Sequence, residues 1–158
     1  MDVALIIVTV LFVLALLWRV RPLLPLARKE ERVALKVAKD RIESAKNHEA
    51  RAAALCDAAE LCAKRNRRAS AEGYFLRALR EAPSSPEVVT RAAEAMKRWP
   101  RTLDALLWRT LAAAPWAGEG ERAAASKVAL ERLADLYEGP LRRRVHGRAL
   151  RFALERLA

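Results

Sequence analysis

Two histidines and two cysteines supply every imidazole and thiol in this chain of 158 residues. None of them stands where catalysis or metal binding would need it. His48 and His146 lie at opposite ends of the polar part of the chain, and neither belongs to a ligand-spaced cluster. His146, within RRRVHGR, reads as a solvated or capping residue. Cys56 and Cys62 are six positions apart and so fall on different faces of a helix, badly placed to bond each other. There is no CxxC, which excludes a zinc ribbon and a thioredoxin-like redox pair, and free thiols are compatible with a reducing compartment. GEGER at 118–122 lacks the Gly-Lys-Ser/Thr of a phosphate loop and follows no strand. Carboxylates are scattered as helix-surface pairs, such as Glu131 and Asp135 beside Arg132. The chain therefore does not read as an enzyme, and no catalytic residue, metal or cofactor is expected.

What the chain does have in quantity is positive charge: 30 Lys and Arg against 19 Asp and Glu, a formal net charge of +11. Residues 19–48 carry nine basic and four acidic groups, and residues 120–158 carry nine and five. The first cluster includes Arg19, Arg21, Arg28, Lys29 and Arg32. The second includes Arg142, Arg143, Arg144, Arg148 and Arg151. Anionic phospholipid is a ready partner for either, at about 1 kcal/mol per basic group near a bilayer surface. The last helix could instead dock an acidic protein. Nucleic acid needs only clustered cations for affinity, but readout wants aromatic platforms or a recognised module. Trp99, Trp108 and Trp116 sit at helix ends or on apolar faces and read as core or partner contacts. Protein and lipid are thus the expected partners, and nucleic acid is not.

The elements positioning these groups begin with an anchor. Val3 to Trp18 is sixteen residues with the Thr9 hydroxyl as its only polar side chain apart from the Trp18 indole. Extended to Val20, the run makes roughly 27 Å of helix, enough for a thin bilayer. A cleaved secretory signal wants basic residues before its apolar run and small residues after it. Here Met1 and Asp2 precede the run and Trp18, Arg19, Val20, Arg21 and Pro22 follow, which suits an uncleaved anchor. The flanking cations place the N-terminus outside and residues 19–158 in the cytoplasm. Arginine preferred over lysine, with abundant alanine, hints at a bacterial inner membrane.

Pro22 and Pro25 predict a short kinked linker. Residues 27–46 then read as a charged helix with a narrow stripe of Val33, Val37, Ile42 and Ala45, beside Ala34 and Ala38. That helix is a spacer or, less well supported by fewer than three heptads, a coiled coil. Breakers at Asn66, PSSP 83–86, Pro100, PWAGEG 115–120 and GP 139–140 delimit helices at 49–65, 69–81, 86–98, 101–113, 121–137 and 140–157. The expected organisation is an anchor at 1–21, a linker and charged helix at 22–48, and a helical domain at 49–158. The fold class is all-α.

ALREAPSSPE at 78–87 resembles the end of one tetratricopeptide repeat (TPR) and the start of the next. With the repeat begun at Ala52, small residues fall at Ala59, Ala71 and Ala78, and larger markers at Leu55, Phe75 and Pro83. A second copy starts at Pro86, with Val89, Ala92, Ala93 and Met96, then Leu103, Leu107, Leu111 and Pro115. A third has Leu130, Leu133, Ala134 and Tyr137, then Leu141, Val145, Ala149, Phe152 and Ala153. Small side chains at a helix crossing permit axes to approach to roughly 8–10 Å. An ordinary six-helix bundle would bury the same apolar residues, so that alternative stays open. The resemblance implies an α-solenoid of about three helical hairpins in which the first helix of each repeat lines a partner-binding groove. Carried over by position, the groove is Cys56, Glu60 and Lys64; Thr90, Glu94, Lys97 and Arg98; and Val128, Glu131 and Asp135. The carboxylate clamp of chaperone-binding members is mostly missing, since Cys56, Glu60, Arg91, Val128 and Arg132 occupy the matching places. The expected function is a membrane-anchored scaffold for protein partners. The alternative is a small structural subunit of a larger membrane complex.

Overall fold

The structure is a computed structural model and describes residues 8–12, 15, 23–113 and 121–157. Every regular element among them is an α-helix. After a helical stretch at 8–12 come α1 (Leu23–Ser44), α2 (His48–Lys64), α3 (Arg68–Glu81), α4 (Pro86–Met96), α5 (Pro100–Ala113), α6 (Glu121–Glu138) and α7 (Arg144–Leu157). No helix among the described residues is long and apolar enough to cross a membrane. The expected anchor at 3–20 lies outside them except for 8–12 and 15, which are helical and exposed. Arg19, Arg21 and Trp116 lie outside them too.

The helix ends are set by identifiable hydrogen bonds. Asn47 caps α2, its side-chain oxygen accepting from the Ala50 N–H at 2.7 Å. The helix ends in a Schellman pattern. Asn66 takes a left-handed φ of 59°, Arg67 N–H donates to Cys62 O, and Asn66 N–H donates to Ala63 O. Ser85 caps α4 with Pro86 in its first turn, where a missing N–H costs nothing. Two boundaries differ from expectation. Pro25 does not break α1 but sits in its first turn, among amides that have no helical partner anyway. The last helix starts at Arg144 rather than 140, because Leu141 and Arg143 N–H groups close the end of α6 on Leu136 and Tyr137 carbonyls, with Arg142 at φ 53°.

The chain divides into two units, Met1–Val37 and Ala38–Ala158. The second begins inside the helix that reads as a spacer: Ala38 and Ile42 are buried in its core. Within it, α2 packs on α3, α3 on α4 and α5, α4 on α5, and α6 on α7. The first helices of the expected pairs also stack on one another, α2 on α4 and α4 on α6, with α5 against α6. Contacts thus run between successive layers. Ala58, Ala59, Ala71, Ala78, Ala92, Ala125, Ala129 and Ala134 have no exposed surface, so methyl groups line the crossings. Phe75, Leu55, Met96, Leu106, Leu107, Leu111, Leu130 and Leu133 fill the space beside them.

The last helix is turned differently from expectation. Val145 and Phe152, expected inside, are 74% and 58% exposed, and Ala149 is exposed as well. Gly147 and Leu154 face inward instead. The cause is the approach of α7 to α6: a Cβ on Gly147 would stand 2.6 Å from Glu138 Cγ and 3.3 Å from Glu138 N, so any larger residue would push the Glu138 side chain aside. Arg151 fixes the same rotation, its guanidinium reaching Asp135 Oδ1 at 2.8 Å and Glu138 Oε2 at 3.1 Å.

Candidate functional site

Where α2 and α4 lie side by side, two hollows open between them. The smaller, about 420 Å³, is lined by Glu60, Lys64, Thr90, Arg91, Glu94, Lys97 and Arg98, with Ala63 and Ala95 beneath. Six of the groove positions carried over by repeat register therefore surround one space. The larger, about 690 Å³, lies toward the N-terminal ends of the same helices. It is lined by Glu49, Ala53, Cys56, the 82–85 turn, Glu87, Arg91 and Ala124.

Arg91 borders both hollows and ties the two helices together. Its Nε donates to Glu60 Oε1 and its Nη2 to Asp57 Oδ1, each at 2.6 Å. Partial burial works against the Arg91 charge, but the hydrogen bonds to Glu60 and Asp57 outweigh it and push its pKa up. The carboxylates Asp57 and Glu60 are one helical turn apart and so present a two-point acceptor to a planar fork. This triad keeps a net charge of −1 at the middle of the groove, and the remaining charges sort by end. Glu49 and Glu87 mark the larger hollow. Lys64, Lys97 and Arg98 mark the smaller, where Glu94 is shared between Lys97 at 3.9 Å and Arg132 at 3.4 Å.

The other groove candidates lie elsewhere or are inaccessible. Cys56 borders the larger hollow but has no exposed surface, and burial pushes its thiol up to about 11 against the opposing charge of Arg91. It is a close-packing residue under the groove rather than a contact on it. Glu131 is exposed on α6 and borders neither hollow, while Asp135 is held by Arg151 of α7. Of the basic final set, Arg151 is committed to those acids, Arg143 lies 6.0 Å from the centroid of the Tyr137 ring, and Arg142, Arg144 and Arg148 are exposed. Arg32 is exposed on α1; nothing is described of the Arg28 and Lys29 side chains.

The histidines have structural surroundings. His48 Nδ1 lies 2.7 Å from Glu81 Oε2, and that hydrogen bond, helped by Arg51, holds the Glu81 carboxyl below its usual range. His146 packs edge-on against Tyr137, centroids 5.9 Å apart. Tyr137 Oη donates to Asp104 Oδ1 and accepts from Trp108 Nε1, both at 2.9 Å, which joins α5 to α6. Among the described residues no three His, Cys, Asp or Glu side chains are grouped to hold a metal ion.

Sequence register found the smaller hollow but missed the larger one, and it missed the role of Arg91 as the post between them. The signal available was the Asp57–Glu60 spacing on a face that must meet another helix. Set against protein-family models, curated proteins and solved structures, the chain matches none.

Proposed function

We propose that this chain is a membrane-tethered, TPR-like scaffold that holds an extended, charged segment of a partner protein along α2 and α4. One observation carries the reading: two hollows of about 690 and 420 Å³ share Arg91 and display opposite charge at their outer ends. From Glu49 to Lys64 the groove follows roughly 22 Å of helix. An extended segment of roughly seven residues covers that length. Basic residues of the segment pair with Glu49 and Glu87, and acidic ones with Lys64, Lys97 and Arg98. The layer order, with α2, α4 and α6 stacked and α3 and α5 behind them, supports the repeat resemblance. Tethering rests on the apolar run 3–18 and its flanking cations, which put the helical unit on the cytoplasmic side.

The test places a photo-cross-linking residue at Thr90, in the groove, or at Arg77, exposed on α3, in intact membranes. Capture of one protein at Thr90 and not at Arg77, lost when Lys64, Lys97 and Arg98 are reversed to Glu, supports the proposal. Equal capture at both positions, unaffected by charge reversal, sinks it in favour of an obligate subunit packed on many faces. Digestion of the helical unit in inside-out vesicles checks the orientation.

A further inference from the structure

The exposed side of α7 presents a stripe that the fold does not use. Val145, Ala149 and Phe152 recur at helical spacing and all face out, Val145 and Phe152 at 74% and 58% exposure. Arginines border them. The Arg156 guanidinium lies 4.9 Å from the Phe152 ring centroid. Arg148 stands three residues after Val145 and four before Phe152, so it flanks the same stripe. Arg144 opens the helix. None of these three arginines has a carboxylate at ion-pair distance among the described residues, whereas Arg151, on the inward side, has two. The rotation that exposes the stripe is fixed by the Gly147 contact and the Arg151 pairs, so it is a property of the packed state.

From this arrangement we infer that the outer face of α7 docks on the surface of an anionic bilayer. Arginines at the rim of an apolar stripe satisfy both demands of such an interface: the guanidinium groups meet lipid phosphates while Phe152 and Val145 enter the acyl boundary. A second copy of the chain is disfavoured, because the two faces would set three cations, none with a carboxylate at ion-pair distance among the described residues, against three more. The apolar stripe adds nothing to nucleic-acid binding. The inference draws on the tethered reading only for the nearness of a membrane and does not involve the groove.

The experiment uses the full chain with an environment-sensitive dye on Ala149→Cys; native Cys56 and Cys62 are buried. A matched chain carries the dye on Arg109→Cys, on α5. Both are mixed with phosphatidylcholine vesicles or with vesicles one-third phosphatidylglycerol, each with and without nitroxide-labelled acyl chains. The expected result is a blue shift and nitroxide quenching at position 149 in anionic vesicles alone, and neither at 109. Each arginine near such a surface contributes about fivefold to partitioning. The triple change Arg144→Gln, Arg148→Gln, Arg156→Gln should thus lower the partition constant about a hundredfold, and Val145→Ser with Phe152→Ser should abolish quenching. No quenching at 149, equal quenching at 149 and 109, or a blue shift without quenching (an acidic protein or another copy on the stripe) would overturn the inference. Sedimentation with neutral vesicles reads tethering separately: a chain left in the supernatant refutes the anchor, while the anionic arm still tests α7.

Discussion

Replacing Phe75 with alanine tests whether the helices form successive layers or one shared core. Phe75 lies on α3 with no exposed surface, in the core that links α2, α4 and α5. Truncating a fully buried phenylalanine costs about 3–5 kcal/mol, part transfer and part cavity. A unit the length of Ala38–Ala158 has about 5–15 kcal/mol in total, so the loss is a large share. With about 3–5 °C per kcal/mol for this size, Tm should fall by roughly 10–20 °C. The decisive assay is amide exchange, resolved by helix. Where contacts pass only between neighbouring layers, opening near Phe75 does not require the far end to open. Exchange in α2 and α3 should accelerate about a hundredfold to a thousandfold, at tenfold per 1.4 kcal/mol. Exchange in α7, which packs on α6, should change less than tenfold. Equal acceleration in every helix from α2 to α7 would refute the layered reasoning, and with it the physical basis of the groove.

Arg91→Met should lower stability by about 1–2 kcal/mol in denaturant melts. A charge-assisted pair is lost and two neighbouring carboxylates are left facing each other, but their partial exposure limits the cost. Adding Asp57→Asn and Glu60→Gln should recover most of that loss. A thiol reagent at pH 8 should leave both cysteines unmodified in the folded chain and label both in denaturant, since burial shields them and raises their pKa values. Native labelling of Cys56 would contradict its packing. Glu81 has a folded pKa below its ordinary value of 4.5 because of the His48 hydrogen bond. Its contribution is present above pH 4.5 and is lost as pH falls through the lower folded value. Glu81→Gln should therefore flatten the acid limb of a Tm–pH curve, and an unchanged limb would argue against the pair.

Much of the fold was legible because its boundaries are made by local chemistry. Asn66, Ser85–Pro86 and Gly139–Pro140 act within one turn of themselves, so their residue types announce where helices start and stop, whereas the Asn47 cap was not picked out. The alanine-lined crossings were also readable, since few other side chains allow so close an approach. The setting of α7 was not. Its sequence has two apolar stripes, Val145–Ala149–Phe152 and Leu150–Leu154, and periodicity alone cannot rank them. Gly147 decides through a steric contact with α6, visible only once the two helices meet. The groove shows the same division. The resemblance picked out Lys64, Thr90, Glu94, Lys97 and Arg98, and helical spacing puts those of α4 on one face. Which charges cancel across the groove depends on residues 31 and 34 positions apart, as between Arg91 and its two acids. Asp135 left the groove set for a similar reason, recruited by an arginine on the following helix.

The two ends of the helical stack are finished differently, and this carries functional weight. A stack of helical layers has exposed terminal layers that need a polar outer surface to stay solvated. At one end the last turns of α1 bury Ala38 and Ile42 and leave Lys39, Asp40, Arg41 and Glu43 exposed, a mixed-charge surface suited to water. At the other end α7 shows arginines around an exposed phenylalanine and valine, cationic and apolar together. Water alone gives no reason for Phe152 and Val145 to face out when Leu154 on the same helix is buried. Interior packing gives no reason for the cations around them. Both features become favourable at once against an anionic, partly apolar surface. The groove between α2 and α4 has neither property: its cations at one end are balanced by acids at the other, and alanines floor it. The chain thus carries two surfaces of different chemistry, a mixed-charge groove floored by alanines and a cationic helix face with an apolar stripe. Variants that alter one surface should leave the other intact, which makes the two proposed roles separable by mutation.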